Sequence, residues 1–278
     1  MERFAPVAPV AVHQRMAEAG VLGSYHLLLA HQVLDQPAIH EAFYKGQLPR
    51  MRKYPDSENR SLRKTPYIIM DNSLIELGYP LPVEDVVIAA ETVNASVIVL
   101  PDVLGDRIKT LEQTTKAAIT LDELRPRSPY ARRVKMLGVA QGQTLNEVFS
   151  CARDMIQLLG VDIVSIPRHV TAKVGSRIKL AQMVRQYGKP VHLLGFSENL
   201  LDDFTALGIP GVMGIDSAVP IWYGLQGFEL PTTPPVQADY GKRPEDYESQ
   251  TEINSKVIQN IRRVERWVNI AKTAPTGR

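Results

Sequence analysis

The sequence predicts an α/β protein, a (β/α)8 TIM-like barrel, from three observations. Short runs of continuously apolar residues recur along the 278 residues and alternate with amphipathic helical patterns. Runs of this kind are typical of parallel strands that are buried on both faces. Most runs are followed by a polar residue, and in a barrel the carboxyl ends of all strands meet on one face, where active sites lie. We therefore expect one barrel domain over residues 1–278.

The strands are predicted where mostly apolar residues follow one another without alternating with polar ones. Seven such runs are Tyr25–Ala30, Tyr67–Met70, Ser96–Leu100, Val134–Ala140, Val161–Ile166, Val191–Phe196 and Gly211–Ile215. No eighth run is obvious. Either the N-terminal segment or a short piece near Leu77–Leu81 is expected to supply the eighth strand.

Helices are predicted between these runs, where apolar residues follow helical spacing. The patterns cover Val83–Val93, Arg107–Leu124, Leu145–Leu159, Ser176–Tyr187 and Leu200–Leu207. Gly160, Gly188 and Gly208 each follow a helix, where a left-handed C-cap favours glycine. Two segments depart from the alternation: a basic insertion over 45–64, and a C-terminal region over 228–278, predicted as an extended arm followed by a helix over Thr251–Ala271.

The amino-acid composition indicates a cellular compartment but not the class of binding partner. Lys and Arg total 32 and Asp and Glu 30, a net charge of +2, so overall charge indicates no partner. The single cysteine, Cys151, cannot form an internal disulfide or a cysteine-rich zinc site, which favours a reducing cytoplasm. No apolar run approaches the roughly 18 residues of a membrane span.

The basic insertion is a candidate nucleic-acid-binding segment because its cations could meet phosphates. A solvated loop is the alternative interpretation. Tyr44 and Tyr54 lie among the charges and could stack on an extruded base. The candidate phosphate-binding residues are Lys45, Arg50, Arg52, Lys53, Arg60, Arg63 and Lys64.

Three aspartates, Asp71, Asp102 and Asp216, follow apolar runs. Carboxylates that face one pocket can divide into nucleophile, acid/base and substrate anchor when their environments separate their pKa values. The alternative is that each aspartate caps the element that follows it. Gln141 in GVAQGQ suits hydrogen bonding to a planar base, with Gly142 allowing close backbone approach, although an ordinary turn explains both residues equally.

The order of these motifs resembles the tRNA-guanine transglycosylase superfamily from roughly Asp71 to Gly224. MDNSLIELG stands where that family has an Asp-Ser-Gly-Gly-Phe segment, and LPDVLGD stands where it has its base-binding aspartate. MLGVAQGQTLNEVFSCARDM is similar to the family's Gly-Ile-Val-Gln-Gly-Gly strand and helix. HLLGFSENLLDDF resembles its Met-Gly-Val-Gly strand, and GIDSAVPIWYG resembles the Asp-Cys-Val-X-Pro segment of the nucleophile.

The resemblance implies a base exchange in which guanine in a nucleic acid is replaced by a 7-deazaguanine such as preQ0. Asp216 would be the nucleophile that attacks C1′ and forms a covalent glycosyl intermediate. Asp71 would be the general acid/base. No cofactor is implied. The residues implied to bind the base are Asp102, Gln141, Gly142, Leu194 and Gly195.

Departures from the family pattern favour one branch of the superfamily. The tRNA enzymes hold a structural zinc with cysteines and a histidine after the nucleophile, whereas no cysteine follows Asp216 here, so no metal is expected. The double glycine of the first motif is replaced by Asn72-Ser73. An appended RNA-binding domain is not expected. These features resemble the smaller phage-type relatives that insert 7-deazaguanines into DNA.

The expected partners are a nucleic acid, DNA in preference to tRNA, and a small 7-deazaguanine base. No membrane partner is expected, and a homodimer is left open. A phage-encoded chain would act in the host cytoplasm. Two rival functions are a tRNA-directed transglycosylase and a barrel without catalysis that acts as a nucleic-acid-binding or partner subunit; retention of Asp71 and Asp216 argues against the second. A metal-dependent hydrolase is less favoured, because the sequence lacks a His-X-His or His-Glu-X-X-His ligand set.

Overall fold

The computed structural model describes residues 3–49, 66–170 and 176–273, which form a (β/α)8 TIM-like barrel with helices between the strands. The strands are β1 Phe4–Pro6, β2 Tyr25–Leu29, β3 Tyr67–Asp71, β4 Val97–Val99, β5 Lys135–Val139, β6 Ile163–Pro167, β7 Val191–Leu194 and β8 Val212–Ser217. All of their pairings are parallel, in the order β1-β8-β7-β6-β5-β4-β3-β2. The barrel is nearly closed: β1 lies beside β2, but no ladder joins these two strands within the described ranges.

Both faces of the strands are buried, which explains the continuous apolar runs. In β2 the side chains of Tyr25, Leu27 and Leu29 fill the barrel interior, whereas Leu28 packs in the layer between the strands and the helices. The same alternation separates Val97 in the interior from Ile98 in the outer layer. The seven predicted strands are confirmed, with ends that differ by one or two residues.

The eighth strand is the N-terminal segment, which pairs with the last strand. Phe4, Ala5 and Pro6 of β1 lie opposite Ile215, Asp216 and Ser217 of β8. The piece near Leu77–Leu81, the other candidate, forms no strand. Because Pro6 has no backbone N–H, it suits a strand whose free edge faces β2 without a ladder.

The helices surround the barrel in chain order. They are α1 Val10–Glu18, α2 Ala30–Asp35, α3 Pro37–Glu41, α4 Leu74–Leu77, α5 Val83–Thr92, α6 Arg107–Leu124, α7 Pro129–Arg133, α8 Leu145–Leu158, α9 Arg177–Arg185, α10 Leu200–Leu207, α11 Val219–Leu225 and α12 Ser255–Thr273. The five predicted helices between strands correspond to α5, α6, α8, α9 and α10, and the predicted C-terminal helix to α12. No helix in the described ranges is long and apolar enough to cross a membrane.

The glycines after the helices differ in conformation. Gly160 and Gly188 have φ values of +63° and +74°, the left-handed conformation that was expected. The same expectation for Gly208 is wrong, because its φ is −69°. A Cβ at Gly208 would lie 3.0 Å from the carbonyl oxygen of Ala271, so glycine is needed there for close packing of α12 against the end of α10.

Most of the basic insertion lies outside the described residues. Arg50, Arg52, Lys53, Arg60, Arg63 and Lys64 fall there, as does Tyr54. Lys45 is described, on a π-helical segment over Ala42–Gln47, and pairs with Glu41 at 3.2 Å. The expectation that Tyr44 is available for stacking is wrong. Its ring is buried against the outer face of β2, and its hydroxyl lies 2.5 Å from Nδ1 of His13.

Candidate active site

A cavity of about 400 Å³ opens at the carboxyl ends of the barrel strands. Its apolar walls include Leu27, Leu29 and Leu74, with Trp222 from α11. A cavity of this size suits a small planar ligand. Six of the residues predicted from the sequence to act on the substrate line it, namely Asp71, Asp102, Gln141, Leu194, Gly195 and Asp216.

Asp71 ends β3 and is the most strongly perturbed acid of the cavity. Its Oδ2 accepts a hydrogen bond from the backbone N–H of Ser73 at 2.8 Å. Burial raises the pKa of Asp71 well above its usual range, and the charge of Glu76 adds to this rise. The nearby carboxylates of Asp102 and Asp216 raise it further. Asp71 therefore tends to keep its proton.

The turn after Asp71 is strained at one position. Ser73 has a φ of +64°, in the left-handed region that non-glycine residues rarely adopt. Its hydroxyl accepts a hydrogen bond from the backbone N–H of His31 at 3.2 Å, which helps to hold the turn. Backbone strain of this kind is typical of functional sites. The turn directs the Ser73 N–H at the Asp71 carboxylate.

Asp102, after β4, is held by two amide side chains. Asn72 Nδ2 donates to Oδ1 at 3.0 Å, and Gln141 Nε2 donates to Oδ2 at 2.6 Å. Burial raises the pKa of Asp102 to about 6, although both hydrogen bonds act in the opposite direction. Asp102 is therefore mostly ionised at neutral pH and can accept further N–H donors from a ligand, since each carboxylate oxygen has two lone pairs.

Gln141, after β5, is fully buried and helps to hold the Asp102 carboxylate in place. Its Oε1 accepts the backbone N–H of Gly105 at 2.9 Å and lies 2.7 Å from His169 Nε2. These contacts fix the orientation of the amide, so that Nε2 faces Asp102. The Nε2 group carries two N–H donors. Within the described chain one of them is used by Asp102 and the other remains for a ligand.

Asp216, near the end of β8, accepts two hydrogen bonds on one oxygen. His192 Nε2 lies 2.9 Å from Oδ1, and the backbone N–H of Gly195 donates to the same oxygen at 3.1 Å. On its other side, His192 Nδ1 lies 2.9 Å from the hydroxyl of Tyr25. All three side chains are at least nine-tenths buried. The carboxylate is therefore held in one orientation beside the cavity.

The turn after β7 is fixed by a buried ion pair. Arg177 donates to the carbonyl oxygens of Leu194 and Gly195, both at 2.7 Å, and pairs with Asp203 at 3.1 Å. Both charged side chains are fully buried. Gly195 has a φ of +72°, which favours glycine. A Cβ at Gly195 would lie 3.2 Å from Cδ of Arg168, so the side chain of Arg168 passes directly over this turn.

Gly142 does not line the cavity, which differs from the expected contact with the base. A Cβ at this position would lie 2.7 Å from Cβ of Glu147 and 2.8 Å from the backbone nitrogen of Val148. Gly142 therefore allows the loop after β5 to pack against the first turn of α8. That turn is capped by Thr144, whose hydroxyl accepts the Glu147 N–H.

The C-terminal arm contributes residues that sequence reasoning missed. Gly241, Lys242 and Arg243 line the cavity, and Arg243 pairs with Glu76 at 3.0 Å. Arg243 lies far along the chain from the strands, in a polar segment without periodicity, so no sequence signal indicated this contact. His192 and Tyr25 were missed too. A signal existed for them, because each is a polar side chain within a mostly apolar strand.

Neither a metal site nor a reactive thiol is evident within the described ranges. No three His, Cys, Asp or Glu side chains there are grouped so as to hold a metal ion. Cys151 is buried in α8, where burial raises the pKa of its thiol to about 11. Cys151 is therefore a small buried core residue.

Comparison of the chain with models of known protein families and with curated proteins found no match. The fold and the geometry of the cavity therefore carry the functional argument. A barrel with carboxylates at the carboxyl ends of its strands fits an enzyme, but the fold by itself defines no reaction.

Proposed function

We propose that this protein is a base-exchange transglycosylase, which replaces guanine in a nucleic acid by a 7-deazaguanine such as preQ0. The observation that carries this proposal is the convergence of Asp71, Asp102 and Asp216 on one cavity in three different environments. One carboxyl tends to stay protonated, one is an ionised acceptor, and one is oriented by two donors. Separated environments of this kind suit an acid, a substrate anchor and a nucleophile.

Asp102 and Gln141 suit recognition of guanine. The edge of guanine presents an N1–H and an exocyclic amine as donors, beside a carbonyl acceptor. The ionised Asp102 accepts the two donors, and the remaining N–H of Gln141 Nε2 matches the carbonyl. The apolar side chains of Leu74 and Trp222 line the same cavity and can contact the faces of the ring.

The reaction runs in two displacements. Asp216 attacks C1′, the bond from C1′ to N9 of guanine breaks, and the electron pair leaves with the base, which receives a proton from Asp71. Asp71 is then an anion and takes the proton from the nitrogen of the incoming 7-deazaguanine. That nitrogen attacks C1′, and the carboxylate of Asp216 is released. Each step conserves protons between Asp71 and the bases.

DNA is the preferred polymer, and tRNA is the alternative. Two cations at the cavity, Arg168 and Lys242, are exposed and have no ion-pair partner within the described ranges. They are therefore available to phosphates next to an extruded nucleotide. The left-handed φ of Ser73 stands where the resembled family has glycine, which supports the resemblance. We expect the protein to act in the cytoplasm, of a host cell if it is phage-encoded.

Incubation with labelled preQ0 and either duplex DNA or tRNA, followed by nucleoside analysis, tests the proposal. Label is expected in DNA, with release of one guanine for each base inserted. Asp216→Asn is expected to abolish incorporation, whereas Asp122→Asn, an exposed aspartate on α6, keeps it. Label in tRNA but not in DNA would show that tRNA is the polymer substrate. Binding of nucleic acid without any incorporation would favour the non-catalytic barrel and contradict the proposal.

A further inference from the structure

Behind Asp216 lies a buried pair of side chains that the mechanism above does not use. The hydroxyl of Tyr25 lies 2.9 Å from Nδ1 of His192, and Nε2 of the same imidazole lies 2.9 Å from Oδ1 of Asp216. The three side chains thus form a continuous chain of hydrogen bonds. Tyr25 and His192 are at most 1% exposed. We infer that His192 and Tyr25 are positioning residues that determine which oxygen of Asp216 attacks C1′; this inference rests on the proposed function.

The barrel is built to place this pair. The ladder between β7 and β8 shifts register between Val191 and His192, an irregularity of the kind that re-aims a side chain. Gly214 of β8 makes room for the tyrosine, since a Cβ there would lie 2.6 Å from Cε1 of Tyr25. Tyr25 also stacks on Tyr67, with ring centres 5.5 Å apart. These features fix both rings in the barrel interior.

The partners determine the direction of each hydrogen bond. An ionised carboxylate can only accept, so His192 Nε2 carries a proton and donates it to Asp216. In a neutral imidazole Nδ1 is then bare and accepts the hydroxyl proton of Tyr25. Burial raises the pKa of Tyr25 well above its usual range, and the charges of Tyr67 and Asp216 raise it further, so the hydroxyl stays protonated and donates. Tyr25 thereby holds His192 in the tautomer that serves Asp216.

This arrangement makes the two oxygens of Asp216 unequal. Oδ1 accepts from both His192 and Gly195, whereas Oδ2 accepts no donor within the described part of the chain. Oδ2 therefore forms the bond to C1′. In the resulting ester Oδ1 is the carbonyl oxygen and keeps both donors. When the incoming base attacks C1′, the bond from C1′ to Oδ2 breaks, and the returning charge spreads onto an oxygen that is already stabilised.

The test compares Tyr25→Phe and His192→Phe with a matched control pair. His13 and Tyr44 form a second buried contact between a tyrosine hydroxyl and an imidazole Nδ1, outside the barrel interior. Tyr44→Phe thus removes the same group at a similar structural cost but leaves Asp216 untouched. His192→Gln is the conservative variant, because its amide can still donate to the carboxylate. The measurements are the kcat and KM of exchange for the incoming base, together with the rates of guanine release and of intermediate resolution.

His192→Phe is expected to lower kcat by about 10- to 100-fold with KM for the base changed less than about threefold, because a hydrogen bond to a charged group is lost. Tyr25→Phe is expected to lower kcat by about three- to tenfold, because His192 is no longer held in one tautomer but can still donate to Asp216. His192→Gln recovers part of the loss, and Tyr44→Phe matches the unaltered protein. Nitrogen chemical shifts of His192 report the tautomer independently of turnover.

The outcomes separate this inference from the proposed function. If the unaltered protein exchanges bases and Tyr25→Phe behaves as Tyr44→Phe, or if His192 carries its proton on Nδ1, the inference is overturned and the proposed function stands. If His192→Phe fails to fold, Tyr25→Phe and the tautomer still decide. If the unaltered protein exchanges no base in DNA or tRNA, the proposed function fails and the inference falls with it.

Discussion

Replacing Asp102 by Asn is expected to change base selection strongly. Guanine offers Asp102 two N–H donors, whereas hypoxanthine lacks the exocyclic amine and offers one. A hydrogen bond to a charged group contributes about 1.5–3 kcal/mol, which is a factor of roughly 10 to 150. Asn has one oxygen and an NH₂ group that opposes the guanine donors. We therefore expect the preference for guanine over hypoxanthine, measured as a ratio of kcat/KM, to fall by about that factor in Asp102→Asn.

The same substitution is expected to change the free energy of unfolding at neutral pH by no more than about 2 kcal/mol. The pKa of Asp102 rises from 3.8 to about 6 on folding, so the folded state binds the proton more tightly. This preference stabilises the fold below about pH 4 and is lost as the pH rises through 6, an effect of about 3 kcal/mol at 1.36 kcal/mol per pKa unit. Asn carries no charge, so Asp102→Asn avoids the cost of burying an ionised carboxylate at neutral pH. Its NH₂ group, however, must face a donor of Asn72 or Gln141, which costs about 1–3 kcal/mol.

Competition between guanine and hypoxanthine in the exchange assay measures the first effect, and urea unfolding at pH 4 and pH 7 measures the second. The unfolding free energy of Asp102→Asn at pH 7 is expected within about 2 kcal/mol of the unaltered protein. Asp162→Asn, just before β6 at the other end of the barrel, is the control and should keep the base preference. An undiminished guanine preference in Asp102→Asn would refute the assigned role.

Three further changes test other parts of the account. Asp71→Asn is expected to slow guanine release by about 10²- to 10⁴-fold, the usual contribution of a general acid, and a release rate within twofold of the unaltered protein would contradict its role. Arg52→Glu combined with Lys53→Glu should weaken binding to DNA and reduce the salt dependence of binding, which fluorescence anisotropy measures. Equal affinity at low salt would favour the alternative interpretation of the basic insertion as a solvated loop. Gly195→Ala should lower the free energy of unfolding by about 1–2 kcal/mol, because the φ of Gly195 is +72° and a Cβ there would meet Arg168. It should also slow exchange, because it displaces the backbone N–H that donates to Asp216. Normal stability together with a normal exchange rate would contradict this prediction.

The barrel could be predicted because burial on both faces leaves a clear trace in the sequence. The run Val97–Val99 is apolar throughout, and Val191–Leu194 is apolar except for His192, whereas β1 over Phe4–Pro6 is too short to show a pattern. Short helices were missed. One of them, α11 over Val219–Leu225, begins beside Pro220 directly after a strand, without a linker to mark its start. Gly208 shows a different limit: glycine after a helix suggested a left-handed cap, but close packing of α12 explains the residue.

The residues that line the cavity were predicted unevenly, for a physical reason. Asp71 ends β3 and Asp216 is the last residue but one of β8, so their position on the face of the barrel follows from local sequence. The contacts of Glu76 with Arg243 depend on how the C-terminal arm crosses the cavity, which no local pattern encodes. Gly142, beside a candidate ligand residue, does not line the cavity and instead allows close contact with α8, which its sequence position did not indicate.

In the proposed reaction Asp216 becomes covalently attached to the sugar of a guanine nucleotide. Rapid acid quenching during turnover with a short guanine-containing oligonucleotide, followed by mass spectrometry of the intact and digested protein, measures this most directly. We expect a mass increase equal to the oligonucleotide minus guanine, located on the peptide that contains Asp216 and absent from Asp216→Asn. Label incorporation into the polymer with no adduct on any carboxylate, or with an adduct at Asp71 or Asp102, would contradict it.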